Sequence, residues 1–118
     1  MAILDRSLLD DMAASVSATD LERLLDRAAA ELPVLNGRMV TAWRAGDLSG
    51  VAYEAHKLTG LAASFGAAHL AHAADILDRA CRNAPPAPRQ SDIDCVTEAL
   101  EPALDAMATW RTEWRASR

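Results

Sequence analysis

Apolar positions along this chain recur at alternating steps of three and four, the period of helices that bury one face. Leu4, Leu8 and Met12, with Leu9 beside them, predict a short amphipathic helix over residues 3–14. It suits either a lid on the core or a docking surface. Ser17 or Thr19 can cap the next helix, and Thr19 with Glu22 has the spacing of a capping box. That second helix spans about 20–45, with Leu21, Leu24, Leu25, Ala28, Leu32, Leu35, Met39, Val40 and Trp43 on its stripe. Pro33 predicts a kink within it, and Asp26 and Glu31 fall on its solvated side. Gly46 suits a left-handed helix end, and Asp47 or Ser49 can cap the third helix.

The third helix spans about 48–65, with Leu48, Val51, Ala55, Leu58, Ala62 and Phe65 as its stripe. Gly66 ends it, and a fourth helix starts near Ala67 with Leu70, Ala73, Ala74, Leu77 and Cys81 facing the core. So short a turn makes these two helices antiparallel neighbours. Residues 83–91 hold three prolines and read as a mobile loop. Ser91 or Asp92 caps the last helix, which runs to about Ala116 and bends at Pro102. Its stripe is Ile93, Val96, Leu100, Leu104 and Met107, continued by Trp110 and Trp114. Those two tryptophans share a side and read as core or rim packing rather than a ligand platform.

No run alternates polar and apolar as a strand would. Composition agrees: 51% of the 118 residues are apolar and only 4% aromatic, and alanine is abundant. The pattern and the composition predict an all-α bundle with close helix contacts, as one domain over residues 1–118. The net charge of −5 disfavours nucleic acid as the main partner. Residues 1–32 carry seven acids and three bases, and residues 91–118 six and three. Residues 33–90, with four acids and six bases, are mildly basic. No membrane span or signal peptide is visible, since Asp5, Arg6, Asp10 and Asp11 interrupt the N-terminus. Cys81 and Cys95 are too few for a disulfide framework. Cys81 falls on a core stripe and reads as a buried thiol, while Cys95 lies off its helix's stripe. These features fit a cytoplasmic protein, and no spare apolar stripe demands a second copy, so a monomer is expected.

Candidate chemistry centres on His56. At roughly 100° per residue it sits about 130° from the middle of the third helix's stripe and should point outward. Its neighbours one and two turns away are Ala52, Tyr53, Thr59, Gly60 and Ala63, mostly small. A glycine inside a helix costs about 1 kcal/mol against alanine. A bare backbone at Gly60, one turn from an exposed imidazole, lets another molecule come close. His69, His72 and Asp75 have a spacing that could hold a metal. The core stripes supply no further ligand, so they read as polar surface.

Ala55, His56, Leu58, Gly60 and Gly66, with apolar Phe65, resemble the signature of the histidine-containing phosphotransfer (HPt) domain. That signature runs Ala-His-x-Leu-Lys-Gly, then small residues and a second glycine. The order of helices, the proline inside the second and the Ala-Gly-Asp turn are similar as well. The resemblance implies an antiparallel four-helix bundle with a short additional N-terminal helix. It implies a His56 that takes a phosphoryl group on Nε2 from a receiver domain's aspartyl phosphate and passes it to another response regulator. The Nδ1 nitrogen would hold the ring through a partner that the sequence does not name. One departure stands out: where the family usually has lysine, this chain has Thr59, and a lysine stands at Lys57 instead.

Glycine-rich nucleotide loops and acid clusters near His56 for magnesium are absent, and Lys57 stands where a histidine kinase has Glu or Asp. The chain should not phosphorylate itself from ATP. No cofactor is expected in this chain, and Mg2+ is expected in the partner receiver. The expected partners are response-regulator receiver domains and a hybrid histidine kinase. The docking surface should comprise Ala52, Tyr53, Thr59, Gly60 and Ala63, with Lys57 at its rim and Leu8 or Met12 extending it. The alternative is an HPt-like binding module that docks a receiver or kinase without carrying phosphate.

Overall fold

Side-chain caps and left-handed glycines set where the helices begin and end. The computed structural model describes residues 1–118. It contains five helices and no strand: α1 (Arg6–Ser15), α2 (Ala18–Arg44), α3 (Leu48–Ser64), α4 (Ala68–Arg82) and α5 (Gln90–Ser117). At the start of α2, Ser17 Oγ accepts the Asp20 N–H at 3.1 Å. At the start of α3, Asp47 Oδ1 accepts the Gly50 N–H at 2.9 Å. Each satisfies a donor that the first helical turn would leave orphaned. Gly46 (φ 70°) and Gly66 (φ 75°) take left-handed conformations at the ends of α2 and α3.

The helices close around one cluster of 22 buried residues. Leu21, Leu25, Leu32 and Met39 of α2 meet Val51, Ala55, Leu58 and Ala62 of α3 there. Leu70, Ala74 and Leu77 of α4 and Ile93, Val96, Met107 and Trp110 of α5 complete it. α2 and α5, of 27 and 28 residues, outrun α3 and α4, of 17 and 15. Their far ends therefore project beyond the α3–α4 turn, and α1 covers that projection with Leu9 fully buried. Asp5 N–H donates to the Gly66 carbonyl at 2.6 Å, and Trp110 Nε1 donates to Asp10 at 3.0 Å. α1 is thus a lid over the bundle end. No helix is long and apolar enough to cross a membrane.

Several local expectations are corrected. α1 begins at Arg6, not Ile3. Thr19 lies inside α2 because Ser17 is the cap, so Thr19 and Glu22 form no capping box, and Glu22 pairs with arginines of α5 instead. α5 begins two or three residues earlier, capped at Arg89, with Asp92 Oδ2 reaching back to accept the Arg89 N–H at 2.8 Å. Its buried stripe runs through Ala99 and Ala103, with Leu100 and Leu104 only partly buried. Small side chains there let α5 approach its neighbours closely, and the leucines seal the flanks. As expected, Pro33 and Pro102 each lie inside a helix that continues past them, α2 and α5. Cys81 is partly exposed rather than buried, and partial burial pushes its thiol pKa up. Trp110 is buried and stacks on Trp114 with ring centroids 5.6 Å apart, as packing rather than as a platform.

The projecting end is tied by charge. Glu22 accepts from Arg111 at 3.0 Å and also pairs with Arg115, while Asp26 pairs with Arg111 at 2.8 Å. Hydrogen bonds from Arg115 and then Arg111 lower the Glu22 pKa to about 2. The folded value lies below the unfolded one, so this carboxylate stabilises the fold above about pH 4.5, and the contribution is lost as pH falls toward 2. Urea unfolding of wild type and Glu22→Gln should therefore differ at pH 7, with the gap closing by pH 2. A gap independent of pH would show that the ionic contacts contribute nothing.

Candidate functional site

The α3–α4 hairpin positions the site. His56 lies ten residues before Gly66 and Asp78 twelve after it, so antiparallel pairing across the tight turn sets them at the same level. His56 Nδ1 is 3.1 Å from Asp78 Oδ2. The imidazole side chain is 71% exposed, whereas the Asp78 side chain is only 7% exposed. Arg82, one turn further along α4, places Nε 2.5 Å from the other oxygen, Asp78 Oδ1. The carboxylate thus holds the ring from below through Nδ1 and leaves the rest of the imidazole in solvent. An acceptor at Nδ1 fixes that nitrogen as the N–H of the neutral ring and frees the Nε2 lone pair.

Around His56 the surface is low. Gly60 is exposed, and a Cβ built on it would meet nothing within 4 Å. The glycine is therefore not required by this chain's own packing. Ala63 is exposed beside it, and Tyr53 is 61% exposed on the turn before. Ala52 is corrected: it is buried, at 7% exposure, and offers no surface. α3 is flanked by both α2 and α4, so its buried arc is wider than its apolar stripe. Glu54, on the other flank, is buried for the same reason.

Lys57 is turned away from the histidine. Its Nζ stands 3.2 Å from Glu54 Oε2 and 4.3 Å from the centre of the Tyr53 ring. Glu54 Oε2 has no well-formed hydrogen bond, so that lysine is its one neutralising neighbour. Thr59 directs its hydroxyl to the Ala55 carbonyl at 2.9 Å, back-bonded to its own helix. The cation fixed nearest to His56 through a chain of hydrogen bonds is therefore Arg82 of α4. Leu8 and Met12 are partly buried on α1, whose start lies beside Gly66 and which runs toward Trp110, away from His56. They are not neighbours of the histidine.

A family model for the Hpt domain matches residues 16–110. The chain belongs to the Hpt domain family. No curated protein and no solved structure matches it. The family match makes the chain a histidine-containing module of the phosphotransfer kind. Hpt domains in general are phosphocarriers that work with receiver domains and kinases.

Sequence reasoning missed Asp78. Its position on the flank of the α4 stripe, its spacing to Arg82 and the hairpin register could together have found it. His69 and His72 are exposed and line a groove of about 480 Å³ with Ile3, Ile76 and Cys95. At 100° per residue that groove faces roughly 160° around α4 from Asp78. No group of three or more His, Cys, Asp or Glu is placed to hold a metal ion.

Because Gly60 is helical and unobstructed, Gly60→Ala should raise stability by about 0.5–1 kcal/mol. Chemical denaturation checks this, and a loss of stability would contradict the open space above the glycine.

Proposed function

We propose that His56 is the phosphorylated residue of this Hpt domain, and that the chain acts as a single phosphocarrier unit between receiver domains. The observation that supports this best is the His56–Asp78 contact, a solvent-exposed imidazole held at Nδ1 by a buried carboxylate. A neutral imidazole whose Nε2 lone pair is free is a competent nucleophile. The helix holds it rigidly, so little orientation is left to be achieved on docking. The low surface at Gly60 and Ala63 admits a receiver's acidic pocket to the ring. The receiver brings its own aspartyl phosphate and Mg2+, and this chain brings the nucleophile and the docking face. That face is Tyr53, Gly60 and Ala63 around His56, with Lys57 and Thr59 at its edges. Leu8 and Met12 do not extend it.

A second reading has one observation in its favour. Thr59 replaces the usual lysine, and Lys57 is occupied by Glu54 and Tyr53. A module that docks a receiver without accepting phosphate would tolerate that loss.

Incubation with a receiver domain radiolabelled on its aspartate separates the two. Under the carrier reading, label moves to this chain, is acid-labile and base-stable, and is lost in His56→Gln. Gly60→Trp, which fills the open space without entering the core, should reduce transfer at least about tenfold with no loss of stability. Tight receiver binding with no label would establish the docking module instead.

A further inference from the structure

Resting on the phosphocarrier reading, we propose that Asp78 holds the Nδ1 proton of His56 both before and after Nε2 takes a phosphoryl group. Phospho-His56 then keeps a protonated, cationic ring beneath its anionic phosphoryl group, and its leaving group is a neutral imidazole. Asp78 is thus a positioning residue that sets how readily the group can be passed on.

The geometry gives each Asp78 oxygen one partner. Oδ2 faces His56 Nδ1 at 3.1 Å and Oδ1 takes Arg82 Nε at 2.5 Å. A carboxylate only accepts, so the ring must donate. Arg82 supplies the counter-charge that so buried a carboxylate requires. In the free protein the neutral ring therefore carries its proton on Nδ1 and its lone pair on Nε2.

The transfer step balances without moving a proton. The Nε2 lone pair forms the N–P bond as the P–O bond to the receiver's aspartate breaks. That aspartate leaves with the bonding pair as a carboxylate. The ring is left with one positive charge and with its Nδ1 proton in place, facing Asp78. Were the proton then lost to water, a bare Nδ1 lone pair would face a carboxylate at 3.1 Å. That opposition disfavours loss. Onward transfer then expels a neutral imidazole, a far better leaving group than the imidazolate that a deprotonated ring would release.

The other charges nearby do not reverse this. On α4, Arg82 is the second charged group at the site, with its side chain 55% exposed on the far side of Asp78. Asp75 and Arg79 pair with each other at 2.9 Å. On α3, Lys57 is engaged by Glu54 at 3.2 Å. α2 packs on the Glu54 side of α3 and puts no charged group in contact with the imidazole. The carboxylate in direct contact outweighs a more distant, solvated guanidinium.

Ring-nitrogen 15N NMR of the whole chain, free and after treatment with phosphoramidate as a chemical phosphoryl donor, tests this against Asp78→Asn. Asparagine can still accept the Nδ1 hydrogen bond but carries no charge. Free wild type should show the Nδ1–H tautomer. In the phosphorylated proteins, Nδ1 of wild type should stay protonated to a pH about one unit or more above the variant. The variant should also donate its phosphoryl group about tenfold more slowly at pH 8. Equal midpoints in the two proteins, or an Nε2–H tautomer in free wild type, would overturn the proposal. Failure of His56 to take phosphate while Nδ1–H is plainly present would overturn it through the carrier reading, and would locate the fault there.

Discussion

The site depends on the register of the α3–α4 hairpin, and that register depends on Gly66. Its left-handed backbone turns the chain in the space of a few residues. A Cβ at this position would stand 2.7 Å from the Asp5 carbonyl oxygen. Only a glycine gives both the turn and the close approach of the segment leading into α1. With the turn fixed, positions about three helical turns to either side of it face each other across two antiparallel helices, ten residues before Gly66 for His56 and twelve after it for Asp78. His56 and Asp78 meet because of that count along the chain, not because either drives the packing. Val51, Leu58, Leu70 and Leu77, all fully buried, then lock the pairing.

A wide buried arc on α3 leaves a narrow outward strip. α2 covers Glu54 and α4 covers Ala52, so Tyr53, His56, Gly60 and Ala63 remain as the accessible line. The histidine stands above a surface of small side chains, on a helix whose opposite face is tightly packed. Such an arrangement suits a reaction in which the partner supplies the electrostatic stabilisation and this chain supplies a well-oriented nucleophile. The charge around the ring is supplied from α4 by Asp78 and Arg82, not from α3 by Lys57. That shift from one helix to the next is the main way this site departs from the pattern its motif resembles.

Much of this was legible from spacing alone. The helical period identified all five helices and most core positions of α2, α3 and α4, because a regular apolar stripe marks them. The outward direction of His56 followed from its angle to the stripe. What escaped were features decided between helices. Asp78 is polar, so a rule that places polar residues outside misses it; only pairing with His56 and Arg82 makes its burial tolerable. Ala52 looked like surface because an alanine is neutral to either side, and it was the approach of α4 that covered it. The burial of Ala99 and Ala103 in place of Leu100 and Leu104 is similar, since close approach selects small residues over large ones. The function of Glu22 was hidden because its partners lie about ninety residues away, on α5.

The central claim is that His56 presents Nε2, and only Nε2, for phosphorylation. Heteronuclear NMR correlating 31P with the imidazole protons of the phosphorylated chain tests it most directly. One phosphoramidate resonance coupled to both His56 ring protons, Hδ2 and Hε1, is the predicted result, because phosphorus on Nε2 neighbours both carbons. Coupling to Hε1 alone would place phosphorus on Nδ1, where Asp78 should forbid it. That result, or a resonance that survives in His56→Gln, would contradict the account.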